Sequence, residues 1–478
     1  MNKNKQSGYG KTTVMVFLGI VFVVVSGALV LSQSGGNSSL GASLSGKLNR
    51  SQQISIPDIK TARQMVSVKT KEVMKAFEEK KPIIPFSNAK SAVFRGGPRT
   101  DCLNLDSLKD PQNIVTLTNT NMNYACPEVG WSQCVRVCAA TYQLTQTNIM
   151  SNDVSVYCES GTTIHGNGGN RGFQYSGTGR HDIKIRNCTI ENFQWGIVGA
   201  GNQTEIADNI VRNTAFGMLL YGSSIDVERN SISSGDGIYF FALDPGSVLR
   251  RNQVTATGWG IIGWGGQIIE NTINGAQYGM VITSLYDPEG QQGGGPLVVK
   301  NNQIGESSWY NMFINFNGGA NENLLVKDNS IRSGIRDSLG IALDYLNDKT
   351  YDSTAKYTIS NNNIQLSYPT TRAPGISIDG RNYNRFYGNS AVTNNIVTGG
   401  NPGISIAGTD GIKVIYNNVK NSPLALQCDN SQQITWQCNN CNGGGVANAN
   451  NCAPLAICGN CGGGKEKSEV YGNGAGGN

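Results

Sequence analysis

Residues 230–241 read Asn-Ser-Ile-Ser-Ser-Gly-Asp-Gly-Ile-Tyr-Phe-Phe, and variants of this stretch recur through residues 183–426. Each copy has an Asn-x-Ile or Asn-x-Val phrase, followed by Gly-Ile or Gly-Met. The first phrase begins at Asn230, Asn252, Asn271, Asn302, Asn329, Asn362 and Asn417. The second begins at Gly196, Gly217, Gly237, Gly260, Gly279, Gly340, Gly375 and Gly403. Copies spaced by roughly 20 to 30 residues predict a solenoid, in which each unit buries its apolar side against its neighbours.

The residues after each glycine alternate in character, which indicates strands. In Gly340-Ile-Ala-Leu-Asp344 and Gly375-Ile-Ser-Ile-Asp379, the first and third residues after glycine are aliphatic, whereas the second and fourth vary between copies. A period of two predicts a β-strand whose first and third side chains point inward. The recurring asparagines predict a ladder of amides that hydrogen-bond from coil to coil, and the glycines are expected to supply positive φ at the bends. The sequence therefore predicts an all-β protein, a parallel β-helix.

Two further stretches connect the chain with a known group of proteins. Thr163-Ile-His-Gly-Asn-Gly168 and Ile183-Lys-Ile-Arg-Asn-Cys-Thr-Ile190, followed by the Gly-Ile coils, resemble right-handed parallel β-helix repeats of the pectate-lyase-like superfamily. The resemblance covers roughly residues 135–426 and implies a right-handed solenoid. It implies no single activity, because that superfamily includes polysaccharide lyases, glycoside hydrolases, epimerases, phage tailspikes and non-catalytic surface proteins.

Composition divides the chain into seven segments. They are a basic stub (1–11), an apolar run (12–31), a flexible Gly/Ser/Asn/Gln-rich linker (32–57), an amphipathic helix (58–81), a cysteine-containing cap region (82–134), the β-helix (135–427) and a Cys-rich tail (428–478), whose end is expected to be disordered.

The apolar run is uncharged and has about the 20 residues that span a bilayer. Lys3, Lys5 and Lys11 precede it, so the basic end should stay in the cytoplasm and the rest of the chain should be exported. We favour an uncleaved signal anchor, which gives a single-pass protein of the cell membrane with its C-terminal portion extracytoplasmic. A cleaved signal peptide, which gives a secreted protein, is the alternative.

The segment 58–81 has helical periodicity. Ile59, Ala62, Val66, Val73 and Phe77 recur at helical spacing, between a candidate N-cap at residue 58 and a proline at residue 82. The helix is interpreted either as a stalk or as a cover for the first coil, whose unpaired strand edges would otherwise invite aggregation.

Twelve cysteines flank the repeats in two groups: Cys102, Cys126, Cys134, Cys138, Cys158 and Cys188, and Cys428, Cys438, Cys441, Cys452, Cys458 and Cys461. An even number in an exported chain favours disulfides. The two Cys-x2-Cys pairs of the tail also have zinc-ribbon spacing, so a zinc site is the less favoured alternative. The pairing cannot be deduced from spacing.

Several kinds of chemistry find no support in the sequence. The net charge of +5 is mild for 478 residues, and no basic cluster is interleaved with aromatic residues, so nucleic acid is not expected as a partner. The only histidines are His165 and His181, which argues against histidine-based triads and zinc sites; His165 is interpreted as structural. No phosphate-binding motif is present. The glycine-rich stretches are interpreted as bends and tail.

The candidate functional residues form an outward column four residues after each repeat glycine. In order it reads Ala200, Tyr221, Phe241, Trp264, Thr283, Asn315, Asp344, Asp379 and Ala407, with Asn311 in place of the glycine before Asn315. Tyr221, Phe241 and Trp264 are expected to form an exposed aromatic strip, and Asp344 and Asp379 to be stacked carboxylates on adjacent coils. The alternatives are aromatics packed under loops and carboxylates that only start turns.

These residues suggest two functions. A membrane-tethered surface protein would bind polysaccharide or cell-surface glycan without turnover through Tyr221, Phe241, Trp264 and Asn315, and this is the favoured interpretation. A polysaccharide lyase or glycoside hydrolase would use Asp344 and Asp379. Carboxylates about 5 Å apart suit a retaining glycosidase; alternatively, both could bind calcium while Arg381 or Lys349 acts as the base of a lyase.

Two other columns and the loops of the longer coils are expected on the same outward side of the strands as the candidate column. The column two residues after glycine is too apolar to face water from Val198 through Phe313, so the helix 58–81, the loop 284–297 or a partner should cover it. A ladder just before the glycines is interpreted as stacking at the bend, with ligand contact as the alternative; its members are Trp195, Phe216, Asp236, Trp259 and Tyr278. The extra residues at 284–297, 316–323, 345–357 and 380–390 all follow the candidate column, and their loops would therefore wall it.

Overall fold

The computed structural model describes residues 101–175, 182–283, 297–316, 323–345, 356–367, 373–380, 386–387, 390–449, 452 and 456–459. The predicted signal anchor (12–31), linker and amphipathic helix (58–81) lie outside these ranges, as do Lys349, Arg381 and Cys461. Among the described residues, no helix is long and apolar enough to span a membrane.

The chain winds around three walls, each built of parallel strands, and each full coil contributes one strand to each wall. Strands of the first wall precede the ladder asparagines, strands of the second follow them, and strands of the third carry the Gly-Ile phrases. Within each wall, every strand except those at the two ends pairs in parallel with the strand one coil before it and the strand one coil after it; one antiparallel pair, Tyr124–Cys126 with Trp131–Val137, begins the first wall. The parallel β-helix predicted from the two-residue alternation is confirmed.

The first wall contains the strands Tyr124–Cys126, Trp131–Val137, Ser155–Cys158, Ile183–Arg186, Thr204–Ala207, Ile225–Glu228, Val248–Arg250, Gln267–Ile269, Leu297–Lys300, Asn323–Lys327, Lys356–Ser360, Ala391–Thr393, Lys413–Ile415 and Thr435–Gln437. The second wall contains Thr141–Gln143, Thr163–His165, Thr189–Glu191, Gln253–Ala256, Thr272–Asn274, Gln303–Gly305, Ser330–Ser333, Asn363–Leu366, Ile396–Thr398 and Asn418–Lys420.

The third wall contains Ile114–Leu117, Gln146–Ile149, Arg171–Tyr175, Trp195–Ala200, Trp259–Trp264, Tyr278–Thr283, Tyr310–Phe316, Leu339–Tyr345, Ile376–Asp379, Ile404–Ala407, Leu424–Asp429 and Gly445–Ala449. Two long strands, Ile210–Gly222 and Ser231–Ala242, run through both the second and third walls. The remaining elements are the strand pair Phe386–Tyr387 and Thr409–Asp410 and the short 3-10 helices Leu105–Leu108, Asn119–Asn121 and Pro127–Val129. Parallel pairing thus extends past the predicted bounds 135–427 on both sides.

The interior of the solenoid is a continuous aliphatic core. The first and third residues after each repeat glycine, such as Ile341 and Leu343, are buried in it. They meet aliphatic residues of the other two walls, such as Val326 and Ile331. Since every coil stacks on the next, this core has no break along the described coils.

An asparagine ladder runs along the bend between the first and second walls. Ten asparagines stack in it: Asn209, Asn230, Asn252, Asn271, Asn302, Asn329, Asn362, Asn395, Asn417 and Asn439. Each side-chain amide donates to the amide oxygen of the next asparagine at 2.9–3.1 Å. The same oxygen accepts the backbone N–H of the preceding asparagine, as between Asn252 and Asn271 at 3.0 Å. The predicted ladder is confirmed, with Asn209, Asn395 and Asn439 as additional members.

The expected role of the glycines holds at some bends, where Gly265, Gly266 and Gly275 have positive φ, but it is wrong for the glycines of the Gly-Ile and Gly-Met phrases. The residue before each ladder asparagine takes the left-handed conformation, and at these bends it is never glycine; Arg251 has φ 56° and Glu270 has φ 58°. The repeat glycines are needed for a different reason. A Cβ on Gly260 would lie 2.2 Å from the carbonyl oxygen of Gly279 and 2.5 Å from a methyl of Ile273. These glycines therefore permit close stacking of coils rather than positive φ.

Disulfides occur in both cysteine groups, as predicted. The bridges are Cys102–Cys138, Cys126–Cys134, Cys158–Cys188, Cys428–Cys452 and Cys441–Cys458. Cys438 is also disulfide-bonded, and no cysteine in the described part of the chain is free. The bridge from Cys441 to Cys458 joins the two Cys-x2-Cys pairs that have zinc-ribbon spacing.

His165 occupies a polar position on the outer side of the second wall. Its Nδ1 lies 3.0 Å from Oε1 of Glu191 on the next coil, and Arg212 on the coil after that donates from Nε to Oε2 of Glu191 at 2.5 Å. Burial by itself would raise the pKa of Glu191, but the hydrogen bonds from His165 and Arg212 outweigh it and lower the pKa below the usual 4.5. These contacts favour the structural interpretation of His165.

Replacing a central member of the ladder should destabilise the fold. Asn271→Ala leaves the carbonyl of Leu249 and the amide N–H of Asn252 without their buried partner, at a cost of about 2–4 kcal/mol. Asn274→Ala, at an exposed position three residues later, is the matched control. Chemical denaturation should give a lower midpoint for Asn271→Ala only. Equal midpoints for the two variants would contradict the ladder's role.

The lowered pKa of Glu191 predicts a stability contribution that depends on pH. A carboxyl group whose pKa falls on folding stabilises the protein above its unfolded pKa of about 4.5, and this contribution disappears as pH falls through the folded pKa. The difference in unfolding free energy between the wild type and Glu191→Gln should shrink as the pH falls from about 5 towards 3. A difference that persists undiminished at pH 3 would contradict the assignment.

Candidate functional site

The candidate column is in the predicted register. Strand pairing places Ala200, Tyr221, Phe241, Trp264, Thr283, Asn315, Asp344, Asp379 and Ala407 side by side on successive coils of the third wall. We call this set the strand-end column. Asn311 occupies the glycine position, as predicted, and its side-chain amide donates to Ser338 Oγ at 2.9 Å and to the carbonyl of Leu339 at 2.6 Å.

The aromatic half of the column is less open than predicted. Phe241 is only 1% exposed, whereas Tyr221 and Trp264 on either side of it are partly exposed. The Phe241 and Trp264 rings meet edge to face, with centroids 4.7 Å apart. The prediction of a continuous exposed strip is therefore wrong at Phe241, because its ring packs into an apolar cluster on the outside of the third wall. The two flanking rings remain accessible in part.

The polar half of the column is buried as well. Asp344 is fully buried and Asp379 is 5% exposed, and Asn315 on the preceding coil is also buried. The two aspartates are direct register partners, so their backbones lie about 4.8 Å apart. Stacking on adjacent coils is confirmed, whereas an open carboxylate surface is not.

The oxygen atoms of the polar half are of the type that calcium binds. Asn315 Oδ1 accepts no hydrogen bond from any described residue and lies one coil from Asp344. Calcium takes about six to eight oxygen ligands, which is more than these three side chains supply. No group of three or more His, Cys, Asp or Glu residues in the described ranges is arranged to hold a metal. Further ligands would have to come from elsewhere.

Long connections follow the column only in its polar half. The strand that ends at Gly222 is followed by a connection of two residues (223–224). The strand that ends at Trp264 is also followed by two residues (265–266) before the next strand begins. The connection after Thr283 has thirteen residues (284–296), and the connection after Tyr345 has ten (346–355). Most of these residues lie outside the described ranges. Their position in the chain, immediately after the column, is common for binding loops of solenoids.

The outer side of the third wall carries a second hydrophobic cluster, which we call the outer aromatic face. Its buried members are Trp195, Val198, Leu219, Tyr239, Phe241, Trp259, Ile262, Tyr278, Val281, Tyr310, Phe313, Leu339 and Ala342, with Phe216, Tyr221, Trp264 and Trp309 packed against them. The rings of the ladder before the glycines stack in two pairs, with centroids 4.0 Å apart in Trp195–Phe216 and 4.2 Å apart in Trp259–Tyr278. Asp236, the predicted member between these pairs, instead accepts a hydrogen bond from the Tyr239 hydroxyl at 2.7 Å.

Sequence reasoning treated this face as three separate columns and missed that they form one cluster. Trp309 and Leu339 were not recognised, because the coils that carry them depart from the Gly-Ile spacing. The expectation that the apolar column cannot face water is confirmed, since Tyr239, Val281 and Phe313 have no exposed surface.

Residues 171–335 match the family model described as a right handed beta helix region, which spans about a third of the chain. No curated protein has a matching sequence. Solved structures with a similar course of the chain include the A-module of a mannuronan C-5 epimerase from Azotobacter vinelandii, with 12% identity over 75% of this chain and 96% of that one and a TM-score of 0.43.

Two others are a surface protein and adhesin of Streptococcus pneumoniae and the catalytic unit of a GH87 alpha-1,3-glucanase from Streptomyces thermodiastaticus. The adhesin has 13% identity, coverage of 67% of this chain and 92% of that one, and a TM-score of 0.38. The glucanase has 12% identity, coverage of 74% and 68%, and a TM-score of 0.37. Such identities concern the fold alone. The chain contains a right-handed parallel β-helix; the repeats predicted the parallel β-helix, and the resemblance implied its right hand.

Proposed function

We propose that this protein is a membrane-tethered, extracytoplasmic β-helix surface protein that binds a polysaccharide or cell-surface glycan without turnover. The observation that carries the proposal is the pair of partly exposed rings, Tyr221 and Trp264, at the strand ends of the third wall. They lie two coils apart, about 10 Å, so both can contact one stretch of a sugar chain. Tyr and Trp combine an apolar ring with a polar donor, which suits the faces and hydroxyls of sugars.

The ring of Trp264 is fixed in place. It is held from one side by the edge-to-face contact with Phe241, while the residue is partly exposed. A fixed, partly exposed ring is a suitable contact for the face of a sugar, and the buried Phe241 acts as its support rather than as a binding residue.

Burial of the two carboxylates favours binding over catalysis. Asp344 and Asp379 are 0% and 5% exposed, whereas acid–base or nucleophilic work requires contact with the reacting bond. A polymer cannot reach these groups without displacing whatever shields them.

Export is supported by the apolar run at 12–31 and by the cysteines. Eleven cysteines in the described ranges are all disulfide-bonded, and disulfides persist mainly in oxidising compartments outside the cytoplasm. Together with the basic residues before the apolar run, this supports a cell-membrane location with the β-helix outside.

The glycan site predicts a specific loss of affinity. Trp264→Ala and Tyr221→Ala should each weaken glycan binding about tenfold, equal to about 1.4 kcal/mol, because each removes a ring that contacts the sugar. Trp131→Ala on the first wall, where the ring contacts Lys184 and Arg186, is the matched control and should bind normally. The measurement is calorimetric titration with ligands found on an array of acidic and neutral glycans. Undiminished affinity of Trp264→Ala for such a ligand would refute the site.

The second candidate is a polysaccharide lyase or glycoside hydrolase, favoured by the register pairing of Asp344 with Asp379. Their separation suits a retaining hydrolase, in which one carboxyl group acts as the acid and the other as the nucleophile. In a lyase, calcium would be held by the carboxylates and Asn315, and Arg381 or Lys349 would serve as the base. Both mechanisms require the polar half of the column to open.

A cleavage assay separates the two candidates. We expect wild-type protein to release no new chain ends from acidic or neutral polysaccharides, with or without calcium, measured by reducing-end and unsaturated-uronate assays. Asp344→Asn and Asp379→Asn should retain glycan binding. Cleavage by the wild type that disappears in both variants would establish the enzyme and overturn the binding-only proposal.

A further inference from the structure

The outer aromatic face becomes polar on the first coils of the third wall. Its main columns are the residue just before each repeat glycine and the residue two positions after it. The strand that begins at Arg171 has Arg171 and Gln174 at these positions. They pair with Trp195 and Val198 of the face on the next coil. Asn148 pairs with Gln174 from the coil before. We call Arg171, Gln174 and Asn148 the donor cluster.

Side chains in these two columns contact each other on the outer side of the wall. Asp236 and Tyr239 stand at the same two positions of a later coil, and the Tyr239 hydroxyl donates to Asp236 Oδ2 at 2.7 Å. Tyr310 and Phe313 do so on another coil, with ring centroids 5.3 Å apart. Because the coils share one register, the repeat brings the guanidinium and the glutamine amide of the donor cluster together on this side.

The donor cluster is enclosed and rich in N–H groups. Arg171 is 5% exposed, and Asn148 and Gln174 are each 6% exposed. The amide nitrogen of Gln146 donates to Oδ1 of Asn148 and to Oε1 of Gln174, the latter at 2.8 Å. Since both carbonyl oxygens thus accept from Gln146, the two amide groups present their N–H donors to a further partner, and a guanidinium can only donate. The cluster therefore combines a positive charge with several N–H donors, and a small part of its surface is open to solvent.

Arg171 has no acidic partner among the described residues. It forms no ion pair with any of them, and burial lowers the pKa of its guanidinium. Arg229 shows the contrary arrangement, because its hydrogen bonds to Asp208 and Glu228 raise its pKa. A buried guanidinium without a counter-charge is costly, since the charge has been removed from water. An oxyanion from solution would supply that counter-charge.

We propose that the donor cluster is a binding site for an oxyanion, a carboxylate or sulfate group, held by the guanidinium of Arg171 and the amides of Gln174 and Asn148. A guanidinium presents parallel N–H groups to two oxygen atoms of such a group, and the amides supply donors for the remaining lone pairs. Trp195 on the next coil bounds the site with an apolar ring. The inference rests on these residues and does not require that the strand-end column bind glycan.

Thermal unfolding of the full-length protein, in a buffer whose only anion is chloride, tests the site. Glucuronate or glucose 6-sulfate should raise the unfolding midpoint of the wild type, because a ligand that binds only the folded state stabilises it, whereas glucose should not. Arg171→Gln should lose the rise. Arg251→Gln, which removes an exposed arginine paired with Glu270, is the matched control and should respond like the wild type.

The two sugars distinguish a carboxylate from a sulfate ligand, and inorganic sulfate tells whether the oxyanion is recognised without a sugar. No rise with any of these oxyanions, an equal rise in Arg171→Gln, or an equal rise with glucose would overturn the proposal.

The stability of Arg171→Gln without any oxyanion shows whether the chain itself supplies a partner. Its midpoint in chloride should equal or exceed that of the wild type, because the substitution removes a buried charge that has no counter-charge. A clearly lower midpoint would reveal a carboxylate of the chain that the substitution leaves unpaired, and it would overturn the proposal.

Arg171→Lys keeps the charge but loses the planar fork. By calorimetric titration it should bind the preferred one of glucuronate and glucose 6-sulfate about tenfold more weakly than the wild type does. Unchanged affinity of this variant would contradict the guanidinium contact.

Discussion

Everything in this molecule depends on coils stacking in register at a single strand spacing. The asparagine ladder enforces that register, because each amide oxygen accepts from both the side chain and the backbone of the preceding asparagine, as Asn271 does from Asn252. A coil that slipped by one residue would lose both bonds in a buried place and turn its aliphatic side chains outward. Residues at equal offsets from the ladder therefore form straight columns. Extra residues are tolerated only between walls, where they leave the register unchanged.

The same constraint explains the glycines and the aromatic residues. Coils approach so closely before the third wall that a Cβ at Gly260 would overlap the neighbouring carbonyl, so the side chain is absent there. On the outer side of the wall, equal offsets bring like residues together, and rings such as Trp259 and Tyr278 stack at 4.2 Å. Repetition thus turns a modest preference for aromatics at certain offsets into one large apolar face.

The sequence was sufficient to predict those features that depend only on how many residues separate a position from the repeat glycine. The inward pairs fixed the phase of each strand, and the whole strand-end column from Ala200 to Ala407 followed correctly, including Asn311 in place of glycine. It was insufficient for exposure, because a period of two separates inside from outside but does not tell whether another layer lies over the outside. Phe241, Asp344 and Asp379 were therefore placed in the right column with the wrong accessibility. The reason for the glycines was missed likewise, since the obstructing atoms belong to the next coil rather than to the local bend.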